Sequence, residues 1–379
     1  MRQNVAFVEY VRDRAVADMH VLVTTEGTGG GGRAWAVKFI GLGRLQGQEK
    51  TLAFTTIQTA TGDDRRKEFA RIFKIGIVGY AADSPALPQL DVTWTRPKDA
   101  GPAAVTKDPW NYWVFRVEGN TNMSGEASSQ FRSYRGSFSA SRTTERWKLN
   151  VSGNYFDNRD KFEIDEETTV HSRRNSQSVN GLVVKSLGPQ WSFGVRGEVG
   201  QSSFSNIDRA IIFSPGIEYD FFPYSESSRR SLVIQYSAGP ARYDYNEITI
   251  YDKLSETVPK HALAGSIGLR QPWGSLEIFS RFAQHLNDTD FYRATTFGSA
   301  DVRLFKGFSF NIFAEYDKIG DQIALAKGDV APEEILLRLR QLRTGYSYFV
   351  SFGVSYSFGS IFNTIVNPRF QTSSGIIGF

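Results

Sequence analysis

From Asn111 to Gly359 the chain alternates apolar and small polar residues with a period of two. Near the end, Tyr346, Tyr348, Val350, Phe352, Val354, Tyr356 and Phe358 fall on one face, with Ser347, Ser351, Gly353, Ser355 and Ser357 opposite. Trp147, Leu149, Val151, Gly153 and Tyr155 repeat the pattern, as do Trp191, Phe193, Val195 and Val199. Such alternation marks strands, whose successive side chains point to opposite faces. Twelve segments of this kind follow one another, beginning near Tyr112, Gln130, Arg146, Ser176, Gln190, Ala210, Ser231, His261, Gly274, Thr295, Phe308 and Tyr346.

The connections alternate in length. Short ones hold Arg142 to Glu145, Gly188-Pro189, Pro223 to Ser228, Gln271 to Trp273 and Phe305 to Gly307; long ones hold Asn158 to Arg174, Arg242 to Lys260 and Gly320 to Thr344. A soluble sandwich has no reason to sort its loops this way. A transmembrane barrel does, with short periplasmic turns, long external loops and an even strand count. In lipid every backbone polar group must pair within the protein, so a β chain crosses only as a closed cylinder.

Opposite the aromatics sit Arg116, Glu118, Arg135, Lys148, Arg196, Glu198, Glu218, Asp220, Glu277, Arg281, Asp301, Arg303, Glu315 and Asp317, which are expected to line the lumen. Six are basic and eight acidic. A strongly selective pore uses a ring of one charge, so ion-paired closure or a small, weakly selective conductance is expected.

Residues 1–95 read differently. Met19 to Thr25 is a strand, Gly27 to Gly32 a turn and Ala34 to Leu42 a returning strand, giving a hairpin. Asp63 to Ile75, with Phe69, Ile72 and Phe73 at helical spacing, reads as an amphipathic helix. The expected architecture is an all-β transmembrane barrel of about 12 antiparallel strands over residues 111–359, with a small N-terminal α+β domain over 1–95. A Pro-containing linker, 96–110, joins them, and 360–379 is a C-terminal tail. An even strand count puts both chain ends, and so the first domain and the tail, on the periplasmic side.

Composition narrows the chemistry. Aromatics make up 14% of 379 residues and mean hydropathy is -0.33, with no apolar run long enough for a spanning helix. The net charge of +4 comes from interspersed signs, so no nucleic-acid partner is expected. The absence of Cys excludes disulfides, thiolate zinc sites and cysteine nucleophiles. Four His leave little for metal binding, and neither metal nor cofactor is expected. Met1 to Glu9 shows no signal peptide; an exported protein would carry its leader upstream of this sequence.

Several motifs invite sharper readings. Gly29 to Gly32 lacks the Lys-Ser or Lys-Thr and the following helix of a phosphate loop, and reads as a hairpin turn. His171-Ser172 with Asn175 and Asn180 invites comparison with an outer-membrane phospholipase, but all lie on one charged external hairpin beside Arg173 and Arg174. Asp157, Asp160, Glu163, Asp165, Glu166 and Glu167 lack the spacing of a calcium loop and read as solvated charge that ions could bridge to lipopolysaccharide. Pro332-Glu333-Glu334 opens a short amphipathic helix through Leu342, at the rim or within the lumen.

Ser351 to Phe358, with Gly353, Tyr356 and Phe358 in place, is similar to the terminal-strand signal by which outer-membrane barrels are recognised for insertion. Asn111 to Gly359, with Phe222-Pro223-Tyr224, Ile250 to Lys253 and Gln271 to Gly274, resembles the salt-induced outer-membrane barrel family, whose function is largely undefined. The tail beyond Gly359, with Asn367-Pro368-Arg369-Phe370, departs from barrels that stop at the signal. Ala17 to Val23 resembles the small α/β periplasmic modules of curli-type secretion lipoproteins and the Tol system, which bind partners and catalyse nothing.

These readings converge on a non-enzymatic envelope protein in the outer membrane of a diderm bacterium. It would be a narrow channel or a structural barrel whose first domain docks a periplasmic partner through the hairpin edge or the helix face Arg65, Arg66, Glu68 and Arg71, or else caps the barrel mouth. Its other partners would be outer-membrane lipid, lipopolysaccharide and, during insertion, the barrel-assembly machinery. The alternatives are an outer-membrane lipid hydrolase and a component of a secretion or assembly system.

Overall fold

The computed structural model describes residues 5, 8–11, 16–82, 87–89, 91, 93, 108–163, 169–223, 226–305, 307–328 and 341–359. The linker up to residue 107, Tyr224, Asp165 to Glu167, the segment from Pro332 to Arg340 and the tail from residue 360 lie outside them.

Three strands, β1 (Met19–Gly27), β2 (Arg33–Gly41) and β3 (Glu49–Thr56), form an antiparallel sheet in the order β1-β2-β3. The hairpin of β1 and β2 was expected; β3 adds a strand that sequence periodicity had not singled out. Helix α1 (Gly62–Ala82) packs on one face of the sheet. Its side of the core joins Ile72, Ile77 and Tyr80 to Val37, Phe39 and Phe54. Thr61 caps the helix reciprocally: its hydroxyl accepts from the Asp64 amide at 3.2 Å, and its own amide donates to the Asp64 carboxylate at 2.9 Å.

The helix runs seven residues past the expected end at Ile75, through Gly76 and Gly79. The reason is packing. Gly76 sits against the fully buried ring of Phe39, so the missing Cβ is what allows the helix to lie close to the sheet. Burial of Ile77 and Tyr80 then offsets the poor helix propensity of two glycines.

The other twelve strands form one antiparallel sheet in which every strand pairs with its neighbours in sequence. They are β4 (Trp113–Gly125), β5 (Ser129–Thr143), β6 (Trp147–Glu163), β7 (Thr169–Ser186), β8 (Trp191–Ser202) and β9 (Ile207–Asp220), then β10 (Arg230–Tyr245), β11 (Ser255–Gln271), β12 (Gly274–His285), β13 (Tyr292–Phe305), β14 (Phe308–Ile319) and β15 (Tyr346–Tyr356). The strand count agrees with the sequence pattern. Two of the long connections do not: most of Asn158 to Arg174 and of Arg242 to Lys260 is strand, with Asn158 opposite Arg174 and Arg242 opposite Thr257. Charged residues there obscured an alternation that continues beyond the apolar part of each strand.

Closure of the cylinder was also expected, and here the structure differs. No ladder joins β15 to β4, which are the two edges of the sheet. The eleven ladders present all join consecutive strands, whose register the connecting segment sets. A β4–β15 ladder would join strands from opposite ends of the barrel sequence with no turn to fix its register, so it carries the largest closure cost of any pairing in the sheet. Among the described residues no helix is long and apolar enough to cross a membrane.

Candidate functional site

Pairing register assigns every strand residue to one of two faces. On β8, Trp191, Phe193, Val195 and Val199 share a face and lie opposite Tyr219, Ile217, Pro215 and Ile211 of β9. Following the ladders around the sheet, this face carries an exposed large apolar or aromatic side chain on every strand, among them Phe115, Phe138, Val151, Val179, Ile234 and Leu263. Soluble proteins rarely expose an apolar surface of this extent. Phe138 illustrates its packing: the ring lies on Gly153 of the neighbouring strand, where an added Cβ would be 2.1 Å from it.

The other face is rich in Ser, Asn and Gly, and all fourteen residues expected to line the lumen have its phase. Arg116 and Glu118 of β4 lie opposite Ser139 and Ser137 of β5. Arg135 of β5 and Lys148 of β6 follow, with Arg196 and Glu198 of β8 and Glu218 and Asp220 of β9. Glu277 and Arg281 of β12 face Ser299 and Thr295 of β13, while Asp301 and Arg303 of β13 face Asn311 and Ser309 of β14, the strand that also carries Glu315 and Asp317. The polar positions are largely small. Arg116 and Glu118 approach to 3.6 Å, Glu277 binds Arg270 at 2.9 Å, and Asp317 accepts from Thr295.

Sequence reading missed an aromatic strip within this polar face. Phe279, Phe297, Phe313 and Phe349, from the four consecutive strands β12 to β15, all have the polar phase; Phe279 stacks on Phe297 at 5.1 Å, and Phe313 lies 6.0 Å from Phe349. Each Phe stands alone among polar residues in its own strand, so no local pattern marks it. Only the register brings the four together.

Both ends of the sheet are covered. At the short-turn end the β1–β2 hairpin reaches two separated parts of the wall. Glu26 accepts from Ser227, in the β9–β10 turn, at 2.9 Å and pairs with Arg270 of β11 at 3.7 Å. On the β4–β5 side, Ser141 donates to the Gly29 carbonyl at 3.5 Å, and Gln58, with its amide oxygen turned toward the wall, accepts from Arg116 at 2.6 and 2.8 Å. Gly29 lies so close to Thr143 that an added Cβ would stand 2.4 Å from its Cβ. The glycine-rich turn is therefore a contact point as well as a hairpin tip.

At the opposite end, residues 320–328 fold against the inner face. Ile323 packs in a cluster with Ala210, Ala241, Tyr243, Tyr245 and Val258, all of the polar phase. Asn206, at φ 57°, fastens three segments: its amide donates to the carbonyls of Glu247 at 3.0 Å and Ala324 at 2.9 Å, and its oxygen accepts from the Glu247 amide at 2.8 Å. A bridge between Thr249 and Ala326 adds a fourth tie.

The remaining candidates are placed as follows. His171 and Ser172 are adjacent in β7 and therefore project to opposite faces, so they do not form a base–nucleophile pair. Asn175 lies 3.4 Å from Gln201, and Asn180 donates to Ser178 at 3.5 Å. Asp157 is held by Arg159 and Arg173, Asp160 lies 3.8 Å from Arg174, and Glu163 is paired with Lys161. Among the described residues no three His, Asp or Glu side chains converge as a metal site. On α1, Arg66 pairs with Asp63, Arg71 with Glu68, and Arg65 bonds the Thr61 carbonyl. Gly353, Tyr356 and Phe358, expected to form an insertion signal, occupy β15 and its exit, with the rings of Tyr356 and Phe358 stacked at 5.5 Å.

A twelve-stranded up-and-down sheet with one apolar and one polar face is the construction of a β-barrel. The family model described as "Protein of unknown function, DUF481" matches residues 119–324, more than half of the chain, and the protein belongs to that family. No curated protein matches the sequence. Among solved structures, the chain is similar to the NanC porin at 12% identity and TM-score 0.32, covering 64% of this chain and 98% of that one. It is also similar to the CymD monoaromatic hydrocarbon channel (8% identity, TM-score 0.30, 95% and 97% covered) and to the translocator domain of the autotransporter NalP from Neisseria meningitidis (11%, 0.25, 78% and 98%). Likenesses this loose leave function to be read from this chain's own residues.

Proposed function

We infer that the protein is a non-enzymatic outer-membrane β-barrel forming a narrow, weakly selective channel with both mouths covered. The observation that carries this reading is the two-faced sheet: apolar side chains on all twelve strands face outward, and small polar residues with charges of both signs face inward. Lipid removes the cost of exposing the first face, and water in the lumen solvates the second. Eight-stranded barrels are filled by their own side chains and barrels of about sixteen or more strands hold open channels, so twelve strands lined by Ser, Asn and Gly leave a thin passage. The contacts of Glu26 in the hairpin and of Gln58 after β3 support a capping role for the first domain at the short-turn, periplasmic mouth. A second reading, docking of a partner strand, is supported by the position of β1 at the edge of its sheet.

The test is planar-bilayer conductance of the full chain and of Glu26→Ala, in which the Ser227 and Arg270 contacts are lost. A small conductance without strong ion preference, raised in the variant, is expected. A barrel that inserts but conducts in neither form would overturn the channel, and strong anion selectivity would overturn the lumen assignment. Crosslinking from the hairpin in cells separates the two roles of the first domain. Products confined to this chain's own short turns support capping, and adducts to another envelope protein support docking.

A further inference from the structure

Three arginines stand directly opposite one another on the apolar face, where structural logic disfavours them. Arg132 of β5 pairs in register with Arg159 of β6, and Arg159 with Arg173 of β7. Like charges directly across a ladder repel, and with strands about 4.8 Å apart the three form a row roughly 10 Å wide. A sequence keeps such a row only if something else is gained by it. Beneath Arg159 and Arg173 lies Asp157, whose side chain is 1% exposed. It accepts from Arg159 Nε and Nη2 at 2.9 and 2.7 Å, and from Arg173 Nε and Nη2 at 2.9 and 3.3 Å.

That single carboxylate fixes two guanidiniums while both side chains remain more than half exposed, leaving N–H donors directed away from it. Arg132, which donates to Gln130 at 3.2 Å, completes the row. One position further from the apolar part, Lys161 lies opposite His171, and the groove lined by Gln130, Arg132, Arg159, Lys161 and Arg173 also takes in Asp160, a residue of the polar phase that lies 3.8 Å from Arg174. With Lys161 and its partner Glu163 included, four fixed cations meet two carboxylates on this face, an excess of two positive charges.

The height of the row identifies what it meets. On β6 the outward apolar residues run from Trp147 to Tyr155, and Arg159 lies four residues beyond. At about 3.3 Å per residue and a tilt near 40°, Arg159 stands roughly 30 Å above Trp147. A lipid-facing apolar band is about 25 Å tall, so the row lies at the level of the headgroups in the leaflet away from the short turns. Guanidinium groups bind phosphate through paired N–H donors. A two-charge excess across a row roughly 10 Å wide matches a lipid bearing two phosphates better than one bearing a single phosphodiester. We propose that Arg132, Arg159 and Arg173, preorganised by Asp157, form a headgroup site for a bisphosphorylated glycolipid on the outer wall of the barrel.

The inference rests on the outward face meeting lipid and is independent of whether the lumen conducts. The full chain is reconstituted in phosphatidylcholine nanodiscs doped with bisphosphorylated lipid A, its monophosphorylated form or phosphatidylglycerol, and retained lipid is counted by native mass spectrometry. Preferential retention of the bisphosphorylated lipid is expected, falling about tenfold for each arginine neutralised in Arg132→Gln and Arg132→Gln/Arg173→Gln. Arg132→Gln lies outside the Asp157 network and reports on the site even where the double variant fails to fold. Equal retention of phosphatidylglycerol, or retention unchanged in Arg132→Gln, would overturn the site. Failure of the wild-type chain to insert would overturn the membrane reading and the site with it.

Discussion

Two glycines in α1 offer a controlled measurement of how tightly the first domain is packed. An Ala Cβ at Gly76 would lie 2.0, 2.2 and 2.6 Å from three ring atoms of Phe39, whereas at Gly79 nothing lies within 4 Å. Carbon atoms in contact prefer about 3.5 to 4.0 Å, so Gly76→Ala requires a movement of about 1.5 Å by the helix or the ring. Phe39 has nowhere to retreat: it is fully buried, its ring lies 5.9 Å from that of Phe73, and its carbonyl accepts from Tyr80 at 3.3 Å. Both substitutions gain about 1 kcal/mol of helix propensity, and only Gly76→Ala incurs an overpacking cost of about 1 to 3 kcal/mol. The difference between the variants isolates the steric cost, since the propensity gain cancels. Hydrogen exchange of the α1 amides in the full chain should therefore slow in Gly79→Ala and stay level or quicken in Gly76→Ala. Equal slowing in both would refute the close approach of helix and sheet.

Asn206→Gly keeps the positive φ open to the backbone while removing three hydrogen bonds, each contributing about 1 kcal/mol net. Amides of residues 320–328 should exchange about a hundredfold faster, with conductance raised; unchanged exchange would show that the loop is held elsewhere. Because the chain contains no Cys, cysteine pairs placed along β4 and β15 report the seam without background. In membranes disulfides should form in one register only, and no crosslink in any register would refute closure in lipid. The Asp64 carboxyl is held below its ordinary value by the Thr61 hydroxyl and then by the Thr61 amide. A depressed folded-state pKa stabilises above the unfolded value of about 4 and is lost as pH falls through the folded one. Fraying of α1 should thus increase below about pH 4 in the wild type and show a weaker dependence in Thr61→Ala, which removes the hydroxyl and keeps the amide, as circular dichroism across that range would show.

The barrel strands were legible because a period of two is imposed on each of them by two different surroundings. In β8 and β15 a single strand already displays both faces. Legibility failed where the surroundings change along one strand. The ends of β5, β6, β7 and β10 away from the short turns run beyond the apolar positions, so their outward-phase positions hold Arg132, Arg159, Arg173 and Arg242 and no longer look like strand. The phase of Arg116, Glu118 and the other inner charges could be read from local alternation alone. The Phe279–Phe297–Phe313–Phe349 strip and the arginine row could not, since each exists only across ladders whose register no single segment encodes. The end of α1 was misplaced for a related reason: Gly76 looks like a stop until Phe39, thirty-seven residues earlier, is seen to fill its place.

The Asn206 knot also sets an order of events during assembly. Its bond to the Ala324 carbonyl joins positions 118 residues apart, and the intervening chain contains six strands of the sheet, β9 to β14. Closing so long a loop before those strands are laid down would forfeit chain entropy with few contacts in return. The end of the sheet away from the short turns is therefore covered late, after β14 has joined the growing sheet. Until then the polar face stays open at that end, so its side chains are hydrated before the 320–328 segment folds over them. A chain halted before β14 would leave the Asn206 amide facing water, and cleavage of the exposed 320–328 segment by added protease would time the last stage of folding.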